Sequence, residues 1–125
     1  MKKTSTILSI LLLASVNLYA EQTAESLTVE KCGACHLVGK ITKKKLKNMS
    51  APPYWALAKK IKIAFPKRED SMNFFVDFTL NPTAEKMLFP KETRDRYGVM
   101  PSQKGSVTQE ELKIIYTYVF SEKEK

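Results

Sequence analysis

Lys31-Cys32-Gly33-Ala34-Cys35-His36 gathers the two cysteines and the one histidine of a 125-residue chain into five consecutive positions. Cys-x-x-Cys-His is the spacing of covalent haem attachment. Two residues between the cysteines set their sulfurs about one helical turn apart, within reach of the two vinyl groups of one porphyrin. His36 follows at once, so its imidazole is delivered under the ring, where it is a good iron ligand. Three other chemistries use the same residue types. Thiol–disulfide exchange through Cys32-Gly33-Ala34-Cys35 wants the pair at a helix start inside a βαβ unit. Leu27-Thr28-Val29 is a conceivable short strand, but the segments after His36 read as helices. A structural zinc site wants four ligands, and the chain offers three. A disulfide across so short a loop constrains little.

An iron held by one histidine needs a sixth ligand or an open face, and Gly98-Val99-Met100-Pro101 is the stretch suited to supply it. A thioether is soft and neutral, and Met/His ligation raises the reduction potential of a haem. Gly98 gives the backbone room for close approach, and Pro101 stiffens the loop beyond the sulfur. The other methionines beyond residue 20 are Met49, Met72 and Met87. Met72 and Met87 fall in helical patterns and read as core filler. Met49 lies in a lysine-rich connector close to His36. Met100 comes 64 residues after His36 with a helix still to follow.

These groups have to be positioned by helices. Residues 21–36 read as a helix running into the cysteine motif, with Ala24, Leu27 and Lys31 on one stripe, although Thr28 and Val29 are poor helix formers. Residues 40–50 read as a polar connector passing over the haem edge and ending at Pro52-Pro53. Tyr54 to Phe65 has Leu57, Ile61 and Ala64 on one face and is closed by Pro66. Trp55, the single tryptophan, reads as a core or interface aromatic. Residues 70–80 read as a helix capped by Asp70 or Ser71, with an aromatic face of Phe74, Phe75 and Phe78. Asn81-Pro82 restarts the chain as an N-cap and first helical residue, giving a helical turn over 82–88. A brief helix over 92–97 ends at Gly98. In the last helix Thr108 and Glu111 form a capping box, and Leu112, Ile115, Tyr116, Val119 and Phe120 make a broad apolar face.

The first twenty residues read as a signal peptide. Lys2 and Lys3 make a basic start, residues 7–16 an apolar run, and Leu18-Tyr19-Ala20 a cleavage site. The apolar stretch is short of the ~20 residues that span a bilayer, so an uncleaved anchor is the lesser alternative. The whole chain has 21 basic and 13 acidic residues. Lys2 and Lys3 leave with the signal, so 105 residues with 19 basic and 13 acidic side chains remain, a net +6. That is one small domain, residues 21–125, with a marginal core of its own. Export to the periplasm removes nucleic acid as the expected partner of the basic run Lys40 to Lys47 and of Lys59, Lys60 and Lys62. These lysines read either as a solvated surface or as a docking field for an acidic partner.

Cys32-Gly33-Ala34-Cys35-His36 early in an exported chain, Arg96-Tyr97-Gly98-Val99-Met100-Pro101 late, and an aromatic-bearing last helix resemble the class I monohaem c-type cytochromes. Ala51-Pro52-Pro53 and Phe78-Thr79-Leu80-Asn81-Pro82 are similar to a periplasmic subgroup in respiratory bacteria. The resemblance covers essentially the whole mature chain. It implies an all-α, cytochrome c-like domain wrapped around one covalent haem c. It implies thioethers at Cys32 and Cys35, proximal ligation by His36 and distal ligation by Met100. It also implies crossing first and last helices, with the Leu27 region against Tyr116 and Phe120. The first helix departs from the family in lacking a strong apolar and glycine pattern, and the stretch from Pro53 to Phe89 is longer than in the simplest members.

The function so implied is a one-electron carrier of a periplasmic respiratory chain, not an enzyme. It would be monomeric, in at most peripheral contact with the membrane. Its donor and acceptor would be acidic redox proteins, such as a membrane cytochrome complex or a terminal oxidase. The rivals from other classes are a thiol–disulfide oxidoreductase, a haem enzyme with a labile distal ligand, and a docking subunit of a larger complex. The haem enzyme would want a polar distal base, and no second histidine exists.

Overall fold

A computed structural model describes residues 24–121. The expected signal peptide, residues 1–20, lies outside them. The described residues are helical without a strand, so the domain is all-α. Helix α1 covers 24–32 and is followed by α2 (Lys43–Asn48), α3 (Tyr54–Ala64), α4 (Arg68–Leu80), α5 (Lys91–Tyr97) and α6 (Gln109–Val119). Among the described residues no helix is long and apolar enough to cross a membrane.

Helix α6 is built as its sequence dictates. Thr108 accepts from the Glu111 amide at 3.1 Å, and the Glu111 carboxylate accepts from the Thr108 amide at 3.2 Å. This satisfies two of the donors a helix start leaves unpaired. Leu112, Ile115, Tyr116, Val119 and Phe120 are all buried and join Ala58 and Ile61 of α3 in one core. Helix α4 lies against both α6 and α3. Phe75 stands edge-on to Tyr116 and Phe120, with both centroids 5.9 Å away, while those two rings stack at 4.1 Å. Offset and edge-on pairs suit the quadrupoles of aromatic rings.

Helix α1 joins this core through Leu27, half-buried against the cluster that holds Tyr116 and Phe120. Lys31 reaches the start of α6, donating to the Ser106 carbonyl at 3.0 Å. Thr28 is helical despite its weak propensity because it is fully buried and its hydroxyl bonds the Ala24 carbonyl at 2.7 Å. Burial overrides a preference worth only tenths of a kcal/mol. The helix stops short of the expected 36. At Gly33 a side chain would collide with the Val29 carbonyl, so only glycine lets the chain leave here.

Four other expectations need correction. Residues 40–50 are not merely a connector: Thr42 caps a short helix, accepting from the Lys45 amide at 3.2 Å. Helix α4 begins at Arg68, so Asp70 and Ser71 lie inside it rather than capping it. Ser71 is buried, with its hydroxyl 2.5 Å from that of Tyr116. Asn81 ends α4 instead of starting a new helix, and 82–88 is a turn, because the Asn81 amide is already bonded to the Asp77 carbonyl.

Ile115 has no exposed surface. Ile115→Ala should therefore cost about 2–5 kcal/mol, and Thr108→Ala about 1 kcal/mol. Urea unfolding of the mature protein measures both, with an unchanged slope for each.

Candidate functional site

The cysteine motif sits where α1 ends. Cys32 is the last helical residue, and the Cys35 and His36 amides both turn back to its carbonyl, at 3.3 and 3.0 Å. From there the chain runs to α3 and is tied to the motif along its return. The Ser50 amide donates to the Cys35 carbonyl at 3.1 Å, and the Tyr54 amide to the Leu37 carbonyl at 3.2 Å. Between these two bonds, His36 Nδ1 lies 2.7 Å from the Pro52 carbonyl oxygen. A carbonyl only accepts, so Nδ1 carries the proton and Nε2 is left with its lone pair.

Cys32, Cys35 and His36 line a cavity of about 450 Å³. Phe74, Phe75 and Phe78 of α4 line it too, with Leu57 and Ile61 of α3, Leu112 of α6, and the stretch from Tyr97 to Pro101. That volume is in the range of small-molecule and cofactor sites, which are mostly apolar with a few placed polar groups. All four residues expected to hold a cofactor, Cys32, Cys35, His36 and Met100, thus border one space.

Met100 arrives through the end of α5. Gly98 closes that helix with φ 73°, a conformation that favours glycine, and its amide bonds the Arg94 carbonyl at 2.7 Å. Met87 also lines the cavity, from the turn after Asn81. The helical pattern that marked Met87 as filler does not form, so the structure brings two thioethers to the site where one was expected. Met72 packs against the core, as its pattern suggested. Of the 40–50 segment, only Ser50 reaches the cavity. Trp55 stands edge-on to Tyr54 and borders a separate surface depression with Lys59 and Lys62.

No family model, curated protein or solved structure matched this chain.

The chemistry of the site therefore rests on its own atoms. Burial raises the Cys32 thiol to about 11 and lowers His36 below its usual value, the Pro52 carbonyl partly offsetting the latter. A neutral imidazole is a ready metal ligand. Cys32 has the opposite of what thiol exchange wants: it is half-buried and ends a helix, where the dipole disfavours a thiolate, and no strand accompanies it among the described residues. Cys32 and Cys35 are not bridged to each other. Among the described residues no group of three His, Cys, Asp or Glu side chains is arranged to hold a metal ion by itself. Two residues that matter here were not singled out by type. The Pro52 acceptor is a backbone atom, and Lys86 lines the cavity while its ammonium bonds Asp77 at 2.7 Å. The only prior signal for the first was the Pro52-Pro53 pair.

In the reduced polypeptide without cofactor, iodoacetamide at mild alkaline pH should label exposed Cys35 at least about tenfold faster than Cys32, since the thiolate is the nucleophile. Peptide mapping over time reads the two sites separately.

Proposed function

We propose that this chain is a class I monohaem c-type cytochrome, exported to the periplasm, where it carries single electrons in a respiratory chain. What supports the reading most is one observation: the Cys-x-x-Cys-His residues and Met100 border a single aromatic-lined cavity, with Nε2 as the unprotonated nitrogen of His36. The donor set fits a haem. Cys32 and Cys35 would hold it through thioethers, and His36 and Met100 would ligate its iron. Bound there, a haem supplies one-electron chemistry at its iron. The chain's own work is to hold it, keep water from it with Phe74, Phe75 and Phe78, and ligate with two neutral groups. The chain has no second histidine to serve as a polar distal base, which favours the carrier over the haem-enzyme reading.

Charge supports a class of partner. From Lys31 through Arg68 the sequence has eleven basic residues and no acidic one. The remaining acidic residues lie before Lys31 or after Arg68. The basic half contains the cysteine motif, α2 and α3, and most of its lysines are exposed. Acidic redox proteins are the partners such a field would steer, in brief encounters that weaken with salt. A monomer in peripheral contact with the membrane suits that traffic.

Mass spectrometry of protein exported to the periplasm should find the mature polypeptide plus one haem, with no thiol free to react. Met100→Ala should abolish the weak far-red absorption band of an iron–thioether bond and admit cyanide quickly, while Met87→Ala should leave both unchanged. A bare polypeptide mass would end the reading, and the opposite pattern would move the ligand to Met87.

Oxidation by anionic ferricyanide should slow as ionic strength rises. The combined variant Lys43→Glu, Lys44→Glu, Lys47→Glu should be slower at low salt by about tenfold, the difference fading at high salt. Stopped-flow absorbance follows both.

A further inference from the structure

The loop that carries Met100 buries little of itself. From Gly98 to Ser106 only Met100 and Gln103 are half-buried and none is buried, and Val99 stands 44 % exposed. Hydrophobic burial therefore does little to hold the loop, and its hydrogen bonds decide where it sits. Apart from the Lys31 bond to the Ser106 carbonyl at its far end, its bonds to other elements converge on one turn. Ser102 Oγ donates to the Leu80 carbonyl at 2.6 Å, and the Gln103 amide donates to the Thr79 carbonyl at 3.0 Å. Both acceptors belong to the last turn of α4, where helix carbonyls have no partner within the helix. The loop is also closed on itself. The Lys104 amide donates to Ser102 Oγ at 3.3 Å, and Gln103 Nε2 donates to the Pro101 carbonyl at 2.9 Å. Ser102 is thus the side chain through which the loop is both folded and fastened to α4.

We propose that Ser102 is a positioning residue that holds Met100 at the cavity, and that its tie to the Leu80 carbonyl sets how readily an outside ligand displaces the thioether. The proposal rests on Met100 being the distal ligand. A thioether is a neutral donor that must compete with any small ligand entering the site, so its retention depends on how firmly the backbone beside it is held. The Gln103 amide bond is a backbone bond that no substitution at Ser102 removes directly, and the Ser102 hydroxyl is the adjustable half of the fastening.

The test uses the exported holoprotein as wild type, Ser102→Ala and Ser102→Thr, with imidazole as the displacing ligand. Ser102→Ala should keep its attached haem and its helical circular dichroism. It should bind imidazole about fivefold more readily, the scale of one net hydrogen bond. Its far-red band should weaken, and its Gln103 amide should exchange hydrogen faster. Ser102→Thr keeps the hydroxyl and should match wild type. Ser102→Ala indistinguishable from wild type overturns the proposal, as does Ser102→Thr behaving like Ser102→Ala. Loss of helical signal in Ser102→Ala would also overturn it, since the residue would then be a determinant of folding. A wild-type protein without attached haem would bring down the functional reading itself, an outcome distinct from all of these.

Discussion

The bond from His36 Nδ1 to the Pro52 carbonyl is the constraint on which the site depends. It selects the tautomer, aims the imidazole, and leaves the second nitrogen as the only one able to accept a metal. A metal-binding histidine is commonly oriented this way through its other ring nitrogen. The bond is only as good as the backbone that presents the carbonyl. Here that backbone is held on both sides, by Ser50 on Cys35 and by Tyr54 on Leu37. Leu37 and Val38, each 2 % exposed, anchor the irregular stretch between the motif and α2 in the interior. The run from His36 to Pro52, α2 included, is thus tied at the point that matters by a few fixed contacts.

The two sides of the cavity are held by different physics. On the His36 side, covalent sequence proximity, buried neighbours and three consecutive hydrogen bonds act together. On the Met100 side the chain is exposed and is retained by a few hydrogen bonds to the end of α4. An imidazole on a rigid mount and a thioether on a lighter one border the same cavity, an asymmetric arrangement. The neutral character of both donors also matters. An apolar cavity penalises charge, and the imidazole and thioether that border this one are both neutral.

Much of this was legible from residue order, for identifiable reasons. Thr108 with Glu111, and the five apolar positions that follow, specify α6 locally, and nothing in the tertiary structure competes with them. Phe74, Phe75 and Phe78 marked a face that proves to line the cavity. Helix α2 was hidden because Lys43 to Asn48 has almost no apolar periodicity, and it buries no residue. Its one signal was Thr42 as a cap. Asn81-Pro82 misled because asparagine before proline serves equally as the start of a helix or the end of one. What decided it is that the Asn81 amide continues the α4 ladder onto the Asp77 carbonyl, with Lys86 closing over Asp77 and the Asn81 carbonyl. Met87 was placed in a helix by the same error, since its helical setting was an inference from Pro82. The Pro52 acceptor could not have been found by residue type, because any residue but its geometry would serve as well.

Helix α4 explains why a weakly amphipathic segment can organise both core and site. Its first turn carries Glu69 and Asp70, favourable at the positive end of the helix dipole. Beside them Arg68 and Ser71 meet the hydroxyl of Tyr116, fastening α6. Its middle divides between two apolar neighbours: Phe75 reaches the core rings, while Phe74 stacks on Phe65 at 4.7 Å and on Phe78 at 5.6 Å beside the cavity. Its last turn gives its carbonyls to the Met100 loop. A helix asked to face a core on one side and a cofactor-sized space on another cannot show a single apolar stripe, and Val76 and Leu80 pack against the core beside Phe74 and Phe75. The same double duty means that anything shifting α4 relative to α6 would move the aromatic wall and the mount of Met100 together. Packing and ligation in this domain are therefore mechanically one problem, with α4 as the shared member.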